Sequence, residues 1–208
     1  MFNHKLTYRA AAFLFAFAAT SAPTNLLAKK EPAVESRQDI GDSMVAHARK
    51  YLGVNYNWEG RMTKKYPGLD CLGLIFRALE EVFGVPWKKW SVYPSQLINQ
   101  LNREERTIVF MSYKLDVLAN LKIGDVILLL DEMINPNDKP VAMQNGRNYW
   151  VWHTAIYVGD GKIIHASPFD EKYAVVEEPF IDFMRRNYFD GVISVTPNES
   201  SIKSMRGK

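Results

Sequence analysis

Helix-spaced apolar positions and short β-rich runs divide the chain into recognisable elements. From Asp39 to Leu52, Ile40, Met44, Val45, Ala48 and Leu52 fall on one side of a helix. Leu72, Ile75, Phe76, Leu79 and Phe83 repeat that spacing, and Gly84 followed by Pro86 ends it. Ser95 is expected to cap a short helix that runs to Leu101. Thr107 to Met111 is β-rich, and Leu115 to Leu121 returns to an apolar, helix-compatible pattern. Ile123 to Leu130 is a continuous apolar run, which predicts a buried strand. Asp131 to Asn148 is dominated by Asn, Pro, Asp, Gly and Lys and predicts a long loop, expected to act as a flap. Ala174 to Val176 predicts a strand, Pro179 to Arg186 a short amphipathic helix, and Val192 to Val195 a closing strand.

Val151 to Val158 and Lys162 to Ser167 are β-rich runs around Gly159-Asp160-Gly161, a strong hairpin signal. Turn length decides whether its two histidines share a face. A two-residue turn at Asp160-Gly161 would set His165 opposite Ile156, with His153 on the other side. A three-residue loop of Gly159, Asp160 and Gly161 pairs Val158 with Lys162. His165 then faces Ala155, diagonal to His153 on one face, at roughly 7–8 Å between backbones. Gly161 suits the left-handed position of such a loop, and this is the expected arrangement.

Cys71 is the single cysteine in 208 residues, and it opens the second predicted helix. Asp70 before it can cap that helix. A thiol in the first turn meets unpaired N–H groups and the positive end of the helix dipole. The expectation is therefore a lowered pKa, with thiolate present near neutrality. A thiolate, an imidazole that takes and returns protons, and a group that orients the imidazole together perform acyl transfer. Cys71, His153 and His165 are the candidates for those roles. His47 has no ligating partner at metal-binding spacing, and one cysteine with two hairpin histidines makes no closed metal site. No metal or cofactor is expected.

Asp70-Cys71-Leu72-Gly73-Leu74 opening a helix, then His153-x-x-Ile156-Tyr157-x-Gly159-Asp160-Gly161-Lys162-x-Ile164-His165-Ala166, resembles the NlpC-type cell-wall cysteine peptidases. Tyr56-Asn57-Trp58-Glu59-Gly60 resembles that family's Tyr-x-Trp-Gly-Gly, and Leu121-Lys122-Ile123-Gly124-Asp125-Val126-Ile127 its Leu-Lys-Pro-Gly-Asp-Leu-Val. The likeness spans roughly Ala46 to Val195 in the family's order. It implies an α+β, papain-like fold in which a helical half carries the nucleophile and packs on an antiparallel sheet. It implies cleavage of peptide bonds in peptidoglycan stem peptides by a Cys71, His153 and His165 triad, with Tyr56 beside the nucleophile. Tyr56 and Asp70 are then candidates for substrate or oxyanion contacts. Glu59 replaces the family's first glycine and Leu72 a common serine, so both bear on the substrate pocket. The same chemistry on an ester, thioester or protein amide, or a non-catalytic wall-binding module, are the alternatives.

The ends refine the picture. His4, Lys5 and Arg9 precede an apolar run from Ala10 to Ala19, and Ala19-Thr20-Ser21 offers a cleavage site. Residues 1–21 therefore read as a secretory signal, too short in its apolar part for a membrane span. Residues 22–38 read as a linker, 39–197 as the peptidase domain and 198–208 as a polar, frayed tail. Removing the signal leaves 24 basic against 23 acidic residues, too balanced for nucleic acid or an electrostatically held membrane. The expected protein is periplasmic or extracellular, without a stable membrane anchor, and its partners are stem peptides or muropeptides.

Overall fold

The structure, a computed structural model, describes residues 37–110, 115–169 and 173–206. The expected signal sequence and all of the linker up to residue 36 lie outside the described residues. Helices α1 (Arg37–Arg49), α2 (Cys71–Phe83), α3 (Pro94–Leu101), α4 (Phe180–Asn187) and α5 (Glu199–Arg206) accompany a seven-stranded sheet. Its strands are β1 (Thr107–Phe110), β2 (Val126–Asp131), β3 (Ala142–Gln144), β4 (Arg147–Gly159), β5 (Lys162–Ala166), β6 (Val175–Pro179) and β7 (Gly191–Val195). They run in the order β1-β7-β2-β4-β5-β6, with β3 on β4, and every pairing is antiparallel. The fold class is α+β, as expected. Among the described residues, no helix is long and apolar enough to cross a membrane.

The apolar run in β2 is explained by burial on both faces. Val126, Leu128 and Leu130 enter one core with Met44, Leu74, Phe76, Ile156 and Ile164, on the side of α1 and α2. Ile127 and Leu129 enter a second core with Ala155, Ile163, Phe180 and Phe183, on the side of α4. Each strand position therefore belongs to one layer or the other, and a one-residue slip would exchange them.

The structure departs from the sequence expectations at several joints. Ser95 does not cap α3. Pro94 takes the first helical position after Tyr93, while the Ser95 amide and hydroxyl both donate to Asp138. The 131–148 loop is shorter than expected, because β3 and β4 meet at Asn145-Gly146, both at positive φ. Leu115–Asn120 forms a 3-10 turn. The tail expected to fray is α5, whose Ile202 is fully buried in the first core. Asn198 starts it, accepting from the Ser200 amide at 2.9 Å.

The hairpin reaches the expected face by another route. The turn has two residues, Asp160-Gly161, both at positive φ, with Gly159 paired to Lys162. A bulge at Val158 then shifts the register, so that Tyr157 pairs with Ile163 and Ile156 with Ile164. That shift restores the alignment a three-residue loop would have produced, and His153 and His165 share one face.

Helix α1 is fitted to the sheet by a close approach. A Cβ on Gly41 would collide with the Ile123 carbonyl oxygen, and Gly124 beside it holds φ +85°. Gly41→Ala gains about 1 kcal/mol of helix propensity, whereas forcing the backbone apart costs about 1–3 kcal/mol. The expected outcome is a lower urea midpoint for Gly41→Ala; a midpoint at or above wild type would show that α1 is not clamped there.

Candidate active site

The start of α2 is held by one carboxylate. Asp70 is the N-cap, in extended backbone, and its Oδ1 accepts from the Gly73 amide at 2.6 Å. The same oxygen takes the Arg61 guanidinium at 2.6 Å, and Arg61 also donates to the Gly60 carbonyl at 2.6 Å. Both residues are buried, and the guanidinium lies over the Phe76 ring. A Cβ on Gly73 would strike the Gly60 carbonyl oxygen, so the glycine of Asp-Cys-x-Gly is required by this approach. The cap expected at Asp70 is therefore present. Its Oδ1 is engaged by Arg61 and Gly73, and Asp70 also lines the cavity described below.

Cys71 is half-buried, and its thiol pKa is pushed up to about 11. Burial is the largest cause and the neighbouring Asp70 carboxylate the next, while hydrogen bonding from Thr154 and from the Leu72 amide pulls the other way. This corrects the expectation of a lowered pKa. The helix end favours thiolate, but removal from water and an adjacent negative charge outweigh it.

His153 and His165 form a pair on the face covered by α4. His153 Nε2 and His165 Nδ1 are 2.8 Å apart, with the rings edge to face. His165 Nε2 then meets Glu178 Oε1 at 2.7 Å, and Glu178 Oε2 accepts from Arg186 at 2.7 Å. Phe169, Phe183 and Phe189 pack around the His153 ring. His153 titrates well below the usual imidazole range chiefly because it is buried, and a proton on the adjacent His165 would push it the same way. It is therefore neutral near neutral pH.

No hydrogen bond joins Cys71 to His153 among the described residues; the strand residue beside the sulfur is Thr154. The two candidates meet instead across a cavity of about 640 Å³ that both Cys71 and His153 line. His153 Nε2 is taken up by His165, so Nδ1 is the ring nitrogen left over, on a residue that lines the cavity. A bulge where Trp152 interrupts the pairing of β4 with β2 lies next to His153. His165 stays behind His153, fully buried and outside the cavity lining.

The remaining candidates are placed as follows. Tyr56 is half-buried near Cys71 and Asp70, and its pKa is raised by burial and then by these two neighbours; it does not line the cavity. Glu59 does, at φ +59°, a left-handed conformation that the family's glycine adopts without strain. Trp58, Trp87, Tyr93 and Trp152 form the aromatic walls. The aromatic stretch 87–93 is thus divided, with Trp90 in the core and Trp87, Val92 and Tyr93 facing the cavity. Asn135 to Asp138 close another side, tied down by Asp138 to Ser95 and by Trp152 Nε1 to the Met133 carbonyl at 2.6 Å. Sequence reasoning missed Arg61, Thr154, Glu178 and Arg186. A Glu at alternate spacing in β6 and an Arg on α4 carry no signal until the sheet pairs them with His165.

No family model matches the sequence, and no curated protein matches it. Solved structures do. The peptidoglycan hydrolase RipB of Mycobacterium tuberculosis is 19% identical, over 81% of this chain and 69% of its own, at a TM-score of 0.49. The NlpC/p60 domain of the peptidoglycan hydrolase SagA is 22% identical, over 74% and 98%, at 0.43. RipD of Mycobacterium tuberculosis, a non-catalytic NlpC/p60 domain protein adapted to peptidoglycan binding, is 19% identical, over 75% and 96%, at 0.44.

The raised thiol pKa sets the pH dependence of Cys71 alkylation. Thiolate is the reactive form, so at about pH 8 iodoacetamide should label Cys71 about a hundredfold more slowly than a free cysteine. The rate should climb about tenfold per pH unit up to about pH 10. Rapid labelling at neutral pH, followed by mass spectrometry, would contradict the assignment.

Proposed function

We propose that this cavity hydrolyses an amide bond of a peptidoglycan stem peptide, with Cys71 as nucleophile, His153 as base and acid, and His165 as orienting group. The observation that carries the reading is that Cys71 and His153 both line this cavity, with His165 held against the Nε2 side of His153. Both groups are neutral at rest, so the thiolate is made on demand. The carbonyl of a bound peptide enters between them, the thiol proton passes to His153 Nδ1, and sulfur bonds to the carbonyl carbon. The oxyanion meets backbone N–H groups at the start of α2, with Tyr56 nearby. The carbon–nitrogen bond then breaks, the amine leaves with the proton from Nδ1, and a thioester remains. Water attacks it, gives a proton to His153, and releases a carboxylic acid and the free thiol.

The substrate class rests on the likeness of the Asp70–Leu74 and His153–Ala166 segments to the NlpC-type pattern. The cavity accords with it: the volume suits a short peptide, and indole and phenol walls can cover both peptide and sugar. Export fits the apolar run at residues 10–19 and would bring the enzyme to the wall as a periplasmic or extracellular protein.

Digestion of purified muropeptides, read by mass spectrometry, tests the reading. Wild type should yield a new amine and carboxylate, Cys71→Ser should yield almost none, and His153→Ala should be slower by about 10²–10⁴-fold. Ester and thioester substrates run in parallel identify another acyl specificity. Binding to wall fragments without turnover, unchanged in Cys71→Ala, would replace the hydrolase reading with a binding module.

A further inference from the structure

A chain of four side chains runs inward-to-outward across β4, β5, β6 and α4: His153, His165, Glu178 and Arg186, with successive contacts of 2.8, 2.7 and 2.7 Å. We propose that Glu178, clamped by Arg186, is a positioning residue that sets the tautomer of both histidines and so leaves the lone pair of His153 on Nδ1. Its importance to catalysis rests on the hydrolase reading of that cavity; the tautomer itself does not.

The argument follows from what each atom can do. An ionised carboxylate only accepts hydrogen bonds. His165 Nε2, at 2.7 Å from Glu178 Oε1, must therefore carry the hydrogen. A neutral imidazole has one N–H, so His165 Nδ1 is left as an acceptor. His153 Nε2, at 2.8 Å from it, must donate. His153 Nδ1 then holds the free lone pair, on a residue that lines the cavity. One carboxylate thus decides a protonation state two rings away.

Arg186 makes this outcome the stable one. Were His165 an imidazolium, both of its nitrogens would donate, and His153 would carry its hydrogen on Nδ1, useless as a base. A guanidinium at 2.7 Å already balances the Glu178 charge, so Glu178 needs only a neutral N–H from His165. His165 is fully buried against Phe183, where a second cation would be costly. Burial pushes the Glu178 pKa up, but the hydrogen bonds from His165 and Arg186 prevail and hold it below the usual range. Geometry keeps the parts together: Glu178 is paired with Ile163 in β5, on the face that also carries His165, and α4 starts two residues after it.

The test is nitrogen NMR of the full chain labelled in its histidine rings, near neutral pH, for wild type, Glu178→Ala and Glu178→Gln. Only four histidines are present, so substituting His4, His47 and His165 one at a time assigns all four signals. Wild type should show both His153 and His165 protonated on Nε2. Glu178→Ala should shift both rings toward the Nδ1–H form, whereas Glu178→Gln, whose amide oxygen can accept the same bond, should keep most of the wild-type pattern. In muropeptide cleavage, Glu178→Ala should lower kcat by about ten- to a hundredfold, as loss of a histidine's orienting partner commonly does, with KM little changed. A wild-type His153 protonated on Nδ1 overturns the proposal, even if Glu178→Ala fails to fold. So does a folded Glu178→Ala protein with both tautomers unchanged. If wild type cleaves no muropeptide, the hydrolase reading falls and the spectra still decide the tautomers.

Discussion

One carboxylate oxygen of Asp70 carries the arrangement around it. It accepts both the Gly73 amide in the first turn of α2 and the guanidinium of Arg61, and Arg61 returns a bond to the Gly60 carbonyl. The loop before Cys71 and the helix that bears it are thereby closed into a single unit. Each member is buried, so each needs the others: breaking such a pair leaves an uncompensated charge, at a cost of about 3–5 kcal/mol. The absence of a side chain at Gly73 is part of the same closure, because the Gly60 carbonyl occupies the space a Cβ would take. Cys71 is thus placed by a rigid node rather than by its own contacts.

That node has an electrostatic consequence. The carboxylate that caps the helix also lies next to the sulfur, and together with burial it raises the thiol pKa. His153, packed among the phenylalanines of the α4 side, is kept neutral by burial. A preformed thiolate–imidazolium pair is therefore disfavoured from both sides. Under the proposed hydrolysis, proton transfer would wait for substrate, and the chain from His153 to Arg186 would supply the imidazole tautomer.

The sheet makes this division possible because it is buried on both faces. Its α1–α2 face receives the thiol and Thr154, and its α4 face receives the two histidines and the phenylalanines around them. Bulges at Trp152 and Val158 adjust which side chain points where. The first lies beside His153, a residue that lines the cavity; the second brings His165 onto the face of His153. Neither strand carries a proline or a run of glycines at these points to announce the irregularity.

Much of this was legible in the chain. Helical spacing located α1, α2 and α4, the apolar run located β2, and Asp70-Cys71 located the nucleophile's helix start, because local propensity and burial act on neighbouring residues. Asn145-Gly146 carried a hairpin signal that the polar composition around it obscured, and Asn198 carried a cap whose helix is stable only because Ile202 finds the core. The sequence alone determined which residues could do the chemistry: one thiol, and two histidines spaced for one face of a hairpin. Only the tertiary structure decided the state of those groups. The thiol's pKa, the carboxylate behind His165 and the opening of His153 to the cavity all arise from desolvation and charge supplied by residues distant in the chain, and such forces act through space rather than along the backbone.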